Sequence, residues 1–517
     1  MNGAEALVRT LRGTGVEVCF TNPGTSEMHF VAALDRLNLL RCILALQENV
    51  ATGAADGYAR MTGKPAATLL HLGPGFGNGL ANVHNAKKAR VPMVNIVGDH
   101  ATYHVKYDAP LTADIEGIAG PVSDWVKTTQ SADDVGADAA EAVAAANSWP
   151  GRIATLMLPA DAAWTETPNT GAAVEPEGPL PISEADVAGA VRLLSSGKKC
   201  ALFVSGATLV EPGLTKLGKI AAKAGCDLIC QTSNRRVDRG AGRVAVKRLP
   251  YPIDLALQML APYEALVLIG APEPVGFFAY PNKPSRLAAD EAEIVSLATP
   301  FQDTDDALDR LIAALGAGET EPVRRAATPP PDPASITGEV GPETISKALS
   351  AVFPENAVIV DESITTGRMF YPDTEGAPPH TWLQITGGAI GDGLPMAVGA
   401  AIACPDRKVV VLQSDGSALY TNQALWTMAR ERLDVAVLLF SNRAYRILEG
   451  EMVGVGVEKQ GAVADALFGL NDPEIDWCKM AESMGVAAVR VDRAEDLAPA
   501  FADAIACNGP KLVEIVF

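Results

Sequence analysis

The chain has 517 residues, 48% apolar and 20% charged, with a formal charge of −20. That composition is ordinary for a globular protein, and the length asks for roughly three domains of about 150 residues rather than one core. The acidic balance, without a Lys/Arg cluster, excludes a nucleic-acid partner. No apolar run nears the ~20 residues of a membrane span.

The opening, MNGAEALVRTLRGTG, reads as an amphipathic helix rather than a signal peptide. Strands are expected at 16–20, 42–46 and 67–70, with a turn at Asn22-Pro23-Gly24 and a helix over 47–61. The middle of the chain predicts strands at 200–205, 227–231 and 265–269. The last third predicts them at 357–360, 409–412, 435–440 and 487–491. Stretches 165–181 and 316–342, rich in Pro, Gly and Glu, read as linkers; Pro329-Pro330-Pro331 forbids a helix or sheet interior. They divide the chain into 1–165, 182–315 and 340–517, each alternating strand and helix. The expected fold class is therefore α/β, with three doubly wound parallel-sheet domains. The eight cysteines are scattered without a C-x-x-C pair, as suits reduced thiols in a cytoplasmic protein rather than disulfides or zinc.

The segment 409–442 carries the densest chemistry. Two Val/Leu runs end in Asp415 and Asn442, separated by helical spacing at Ala424, Leu425 and Met428. A β–α–β unit of this kind delivers both side chains to the carboxyl ends of neighbouring strands, where open α/β sheets bind ligands. A carboxylate with an amide carbonyl is hard oxygen ligation, suited to Mg²⁺ or Ca²⁺ holding a phosphate. Gly416 permits close backbone approach and Ser417 can donate to a phosphate oxygen. Glu48 stands at a strand-to-helix junction among small apolar neighbours, where desolvation would raise its pKa and make it a proton donor; the plainer alternative is a helix-terminal acid. His71 ends the run AATLLH before a glycine-rich turn, a good place for acid–base work or for a satisfied core histidine. His84, His100 and His104 read as structural or peripheral.

Together these segments resemble the thiamine diphosphate (ThDP)-dependent decarboxylase and acetolactate synthase superfamily. Ser414-Asp415-Gly416, then 417–440, then Ser441-Asn442 is similar to its diphosphate motif. NPGTSE, LALQENVATGAADGYAR and LLHLGPGFGNGLANVHNA resemble its pyrimidine domain, and TGGAIGDGLPMAVGAAIA resembles the stretch that supports the bent cofactor. The resemblance implies a pyrimidine domain, a central Rossmann-like domain and a diphosphate domain, in that order. It implies that Asp415, Asn442 and the Ala444 carbonyl ligate Mg²⁺ (or Ca²⁺), with Gly416, Ser417 and Tyr445 beside the diphosphate. Gly388 would meet the pyrimidine amino group and Ile390 would wedge between the cofactor rings. Glu48, from a partner subunit, would hydrogen-bond the aminopyrimidine and promote proton loss at the thiazolium C2. A homodimer at least, and by family habit a homotetramer, follows.

Benzoylformate decarboxylase and the acetolactate synthase large subunit are the nearest likenesses. His71 falls where the decarboxylase has a catalytic histidine, and Thr25 stands where it has an active-site serine. Phe278 takes the approximate place of its second histidine. Ser414 and Ser441 replace motif residues without removing a metal ligand. The synthase-like D-A-F-Q-E appears as Asp108-Ala109-Pro110-Leu111-Thr112. The substrate-facing helix carries Leu448 and Glu451, with charge where a ring is usual, which suggests a polar or functionalised 2-oxo acid. FAD is not expected in the central block, which lacks G-x-G-x-x-G. The leading expectation is ThDP- and Mg²⁺-dependent decarboxylation or carboligation of a small-molecule 2-oxo acid. The alternatives are an acetolactate-synthase-type carboligase, an FAD-linked oxidase and a non-catalytic ThDP-fold binding protein.

Overall fold

A computed structural model describes residues 1–457 and 459–517. Val/Ile/Leu-rich runs, buried on both faces in the central strands, form three sheets that are parallel almost throughout, as helix-covered sheets require. The first contains β1 (Val18–Thr21), β2 (Arg41–Leu44), β3 (Ala66–Leu70), β4 (Met93–Asp99), β5 (Trp125–Thr128) and β6 (Ile153–Pro159), in the order β2-β1-β3-β4-β6-β5. The middle region supplies β7 (Cys200–Val204), β8 (Asp227–Cys230), β9 (Val237–Arg239), β10 (Lys247–Arg248), β11 (Ala265–Ile269) and β12 (Glu293–Ala298). The last supplies β13 (Val358–Glu362), β14 (His380–Gln384), β15 (Val409–Ser414), β16 (Val435–Ser441), β17 (Ala487–Val491) and β18 (Lys511–Val516). The second sheet runs β10-β8-β7-β11-β12 and the third β17-β18-β16-β15-β13-β14-β9.

One strand crosses between regions. β9 leaves the middle of the chain and pairs antiparallel with β14, Val237 opposite Trp382 and Arg239 opposite His380. The residues 240–243 and 324–325 are tied together behind it by backbone hydrogen bonds.

The first and third regions are joined most closely through the helices Glu48–Thr62 and Gly393–Ala403. Their backbones touch because glycines face each other's chains. A Cβ on Gly57 would sit 2.1 Å from the Met396 carbonyl oxygen, and one on Gly399 would sit 1.9 Å from that of Ala54. Both helices lead back to the carboxyl edges of their sheets, so this packing fixes the position of one edge relative to the other. No helix among the described residues is long and apolar enough to cross a membrane.

Candidate active site

At the third sheet, β15 and β16 run side by side with Ser414 opposite Phe440. Asp415 and Asn442 therefore leave neighbouring strand ends, as the spacing implied. Asp415 is buried; its Oδ1 accepts the Gly416 N–H at 2.8 Å and its Oδ2 the Arg443 N–H at 2.7 Å. Asn442 Oδ1 accepts the Ala444 N–H at 3.0 Å. Burial pushes the Asp415 carboxyl up to about 6, against the stabilising pull of those two N–H groups. No cationic side chain pairs with it among the described residues, and its carboxylate beside the half-buried Asn442 amide oxygen makes a set of hard oxygen donors. Gly416 is required here for another reason than phosphate approach: a Cβ would lie 2.5 Å from the Tyr445 ring. The Ser417 hydroxyl is engaged within the chain: it donates to the Ser414 carbonyl at 3.1 Å and accepts from Gln413 at 2.7 Å, because the short helix turns it inward.

The loop bearing Gly388 and Ile390 is held from two sides. Asn85 donates to the Ala389 carbonyl at 2.8 Å and accepts the Ala389 N–H at 3.2 Å, while Asn82 donates to the Gly391 carbonyl at 3.1 Å. His84 lies 3.2 Å from the Gly387 carbonyl, a structural contact. From the other side the buried Glu362 accepts N–H groups of Gly391 at 2.6 Å and Gly393 at 2.7 Å. Asn82, Asn85 and Glu362 were not singled out in the sequence, since only the fold brings them onto this loop. Gly388 has a φ of +79° and takes the Phe277 ring close against its Cα.

At the first sheet, Glu48 opens its helix and His71 ends β3; they flank Gly75, whose added Cβ would be 3.2 Å from each side chain. Glu48 is half-exposed, not tightly packed, and hydrogen-bonds Asn78 at 3.1 Å. The open carboxyl edge explains this, and Gln47 does the helix capping. His71 Nδ1 lies 2.9 Å from Glu27 Oε2 and 3.2 Å from Ser26 Oγ. Glu27 is buried and also accepts the Gly24 N–H at 2.8 Å. Thr25 is exposed, so Ser26 rather than Thr25 is the hydroxyl on His71. Gly24 is obligatory: a Cβ there would lie 2.1 Å from the imidazole.

Three non-glycine residues with positive φ border these groups: Leu72 (+47°) after His71, Ile364 (+49°) after β13, and Arg443 (+54°) after Asn442. For Ile364, a β-branched residue, that is real strain of the kind that gathers at functional sites. Phe278 is half-exposed and packs edge-on against Phe277, so Phe277 is the ring nearer the Gly388 loop. Leu448 and Glu451 share a helix, Arg446–Gly454, and Glu451 accepts hydrogen bonds from Tyr251 and Tyr280. A separate cavity of about 250 Å³, lined by Lys88, Arg90 and Arg235, opens at the carboxyl ends of the second sheet.

The thiamine pyrophosphate enzyme N-terminal TPP binding domain matches residues 1–127, and the C-terminal TPP binding domain of the same enzymes matches 368–515. A Mycobacterium tuberculosis protein, provisionally named acetolactate synthase large subunit IlvX, is 49% identical over 100% of this chain and 99% of its own. The chain belongs to the thiamine pyrophosphate enzymes. Pseudomonas aeruginosa benzoylformate decarboxylase is 29% identical over 99% of this chain and 98% of its own. The fold extends to the Rhodococcus jostii RHA1 ThDP-dependent 4-hydroxybenzoylformate decarboxylase, with a TM-score of 0.85 at 23% identity, covering 100% and 99% of the two chains. Within the family this is a ThDP-dependent enzyme of the decarboxylase and acetolactate synthase type.

Proposed function

We propose that this enzyme decarboxylates a small 2-oxo acid with ThDP and Mg²⁺. The observation that carries the reading is the His71–Glu27 pair beside Glu48: an imidazole anchored through Nδ1 to a buried carboxylate, leaving Nε2 free to hold or pass a proton. When bound, ThDP supplies the electron sink for loss of CO₂. Asp415, Asn442 and the Ala444 carbonyl would hold the metal; Gly416, the Ser417 backbone and Tyr445 would line the diphosphate, the Ser417 hydroxyl being held by Ser414 and Gln413. Gly388 and Ile390 would orient the two rings, and the Asn85 and Glu362 hydrogen bonds hold that loop in place. Glu48 would act on the aminopyrimidine of a neighbouring subunit, and its half-exposed position on a single chain supports a dimer at least, with a tetramer as the working state. The domains are 1–165, 182–315 and 340–517.

The decisive experiment is CO₂ release from a panel of 2-oxo acids with ThDP and Mg²⁺, comparing wild type with Glu48→Gln and His71→Ala. Both variants should lose most activity; full activity in Glu48→Gln would sink the assignment of cofactor activation to that acid. A second reading, carboligation of two 2-oxo acids, is favoured by the 49% identical relative's name. Product analysis of the same reactions separates the two: an aldehyde marks decarboxylation, a hydroxy-keto acid marks ligation.

A further inference from the structure

The helix Arg446–Gly454 starts just after Asn442, yet none of its residues is buried. Apolar burial therefore contributes little to its position. What meets it is an aromatic wall from the middle of the chain. Tyr251 donates its hydroxyl to Glu451 Oε1 at 3.0 Å, and Tyr280 donates to Oε2 at 2.8 Å. The Tyr280 ring also lies against Gly454, where an added Cβ would come within 3.1 Å of it. Phe277 continues the wall, 5.3 Å from Tyr251 between ring centroids, and its Cζ reaches to 2.8 Å of a Cβ placed on Gly388. One face thus runs from the cofactor-orienting loop at Gly388, across Phe277 and Tyr251, to a carboxylate. Leu448, one turn before Glu451, stands on the same side of the helix.

Glu451 is half-buried and has no Lys, Arg or His partner within ion-pair distance among the described residues. A carboxylate offers about four lone-pair positions, and the two phenols engage one on each oxygen. Acceptor capacity remains, in a place flanked by ring faces. An apolar substrate end placed there would strip water from the carboxylate without replacing its hydrogen bonds. A substrate hydroxyl or amine would replace them.

We propose that Glu451, set by Tyr251 and Tyr280, selects 2-oxo acids with a planar body and a hydrogen-bond donor at the far end. This rests on the 2-oxo acid reading above. It replaces the simpler idea of a charged pocket: the rings expected on the Arg446–Gly454 helix are supplied instead by Phe277, Tyr251 and Tyr280. Glu451 is a specificity residue, remote from the bond that breaks.

The test is kcat/KM for phenylglyoxylate and its 4-hydroxy, 4-amino and 4-methyl derivatives, in wild type, Glu451→Leu, Glu451→Gln and Tyr280→Phe. Wild type should prefer the 4-hydroxy and 4-amino acids over the 4-methyl acid by about tenfold or more, mainly through KM. Glu451→Leu should erase or reverse that ratio while Tyr280→Phe, which frees an acceptor position, should keep it. If the Leu variant does not fold, a fall of the ratio in Glu451→Gln carries the same meaning. A purely structural clasp would lower kcat for all four acids alike and leave the ratio intact, which would overturn the proposal. A wild type that prefers the 4-methyl acid would overturn it too. A wild type silent on every 2-oxo acid would instead remove the decarboxylase reading on which it rests, so the two failures are distinguishable.

Discussion

Replacing Glu27 by Gln isolates the support of His71 from the imidazole itself. The Glu27 carboxylate is 4% exposed, and its Oε2 accepts from both the Gly24 N–H and His71 Nδ1. Its other oxygen accepts from the Ser26 hydroxyl and lies against Gly98, where an added Cβ would be only 1.8 Å away. A Gln can keep both bonds on its one carbonyl oxygen, but its NH₂ then replaces the Oε1 that takes the Ser26 hydroxyl, and the acceptor facing the imidazole loses its charge. Exchanging a charged for a neutral acceptor costs about 1–1.5 kcal/mol, or roughly a 5- to 12-fold fall in kcat/KM if the whole loss is felt in the transition state. The assay is CO₂ release on the best 2-oxo acid at saturating ThDP and Mg²⁺, with a thermal melt to show that the variant is folded. Glu27→Gln activity within about threefold of wild type, in a folded protein, would refute the claim that Glu27 holds His71 in its working orientation.

Three other outcomes are expected. His380 is buried beside Arg239, and burial first, then that guanidinium, pushes its ring down to about 3 from the usual 6.5. The unfolded chain takes up this proton first, so stability is lost as pH falls below 6.5, by about 1.4 kcal/mol per unit until the folded pKa is reached. Urea midpoints should show the gap between His380→Phe and wild type closing or reversing on acidification; a gap that ignores pH contradicts this. Asp392 is fully buried with neither carboxyl oxygen hydrogen-bonded, and burial together with Asp56 holds its pKa well above the ordinary 3.8. Here the folded state keeps a proton that the unfolded state releases, so Asp392→Asn should gain on wild type as pH rises from 3.8 towards the raised folded pKa; parallel denaturation profiles would exclude it. Gly399→Ala would drive a methyl against the Ala54 carbonyl at 1.9 Å, backbone against backbone, for a loss of about 3 kcal/mol. At roughly 2–4 °C per kcal/mol the melting temperature should drop visibly; an unchanged Tm would mean the two helices can part at no cost.

The parallel α/β architecture and the Asp415–Asn442 pair were legible because a strand end and its following polar residue are local features. The strand at 265–269 and the one at 487–491 appear where the Val/Leu runs put them. Other strands, such as β4 and β6, escaped because a run buried on both faces has no period of two to distinguish it from a buried helix. The supporting residues were hidden for a different reason. Glu27 meets His71 across 44 positions, Asn85 meets Ala389 across 304, and Tyr251 meets Glu451 across 200. No short-range pattern encodes such pairings. The choice between Thr25 and Ser26 as the hydroxyl on His71 was equally beyond reach, since it turns on the pitch of a single 3₁₀ turn.

The exchange of β9 into the third sheet limits how this chain can be taken apart. Cutting at the proline-rich stretches, or grafting in a foreign middle region, would strip Val237–Arg239 from β14 and leave the buried strand His380–Gln384 as a bare sheet edge. An exposed edge of that kind invites pairing with other chains. The middle region therefore also serves as a guard against aggregation, and chimeras should keep residues 237–239 with the third sheet they complete.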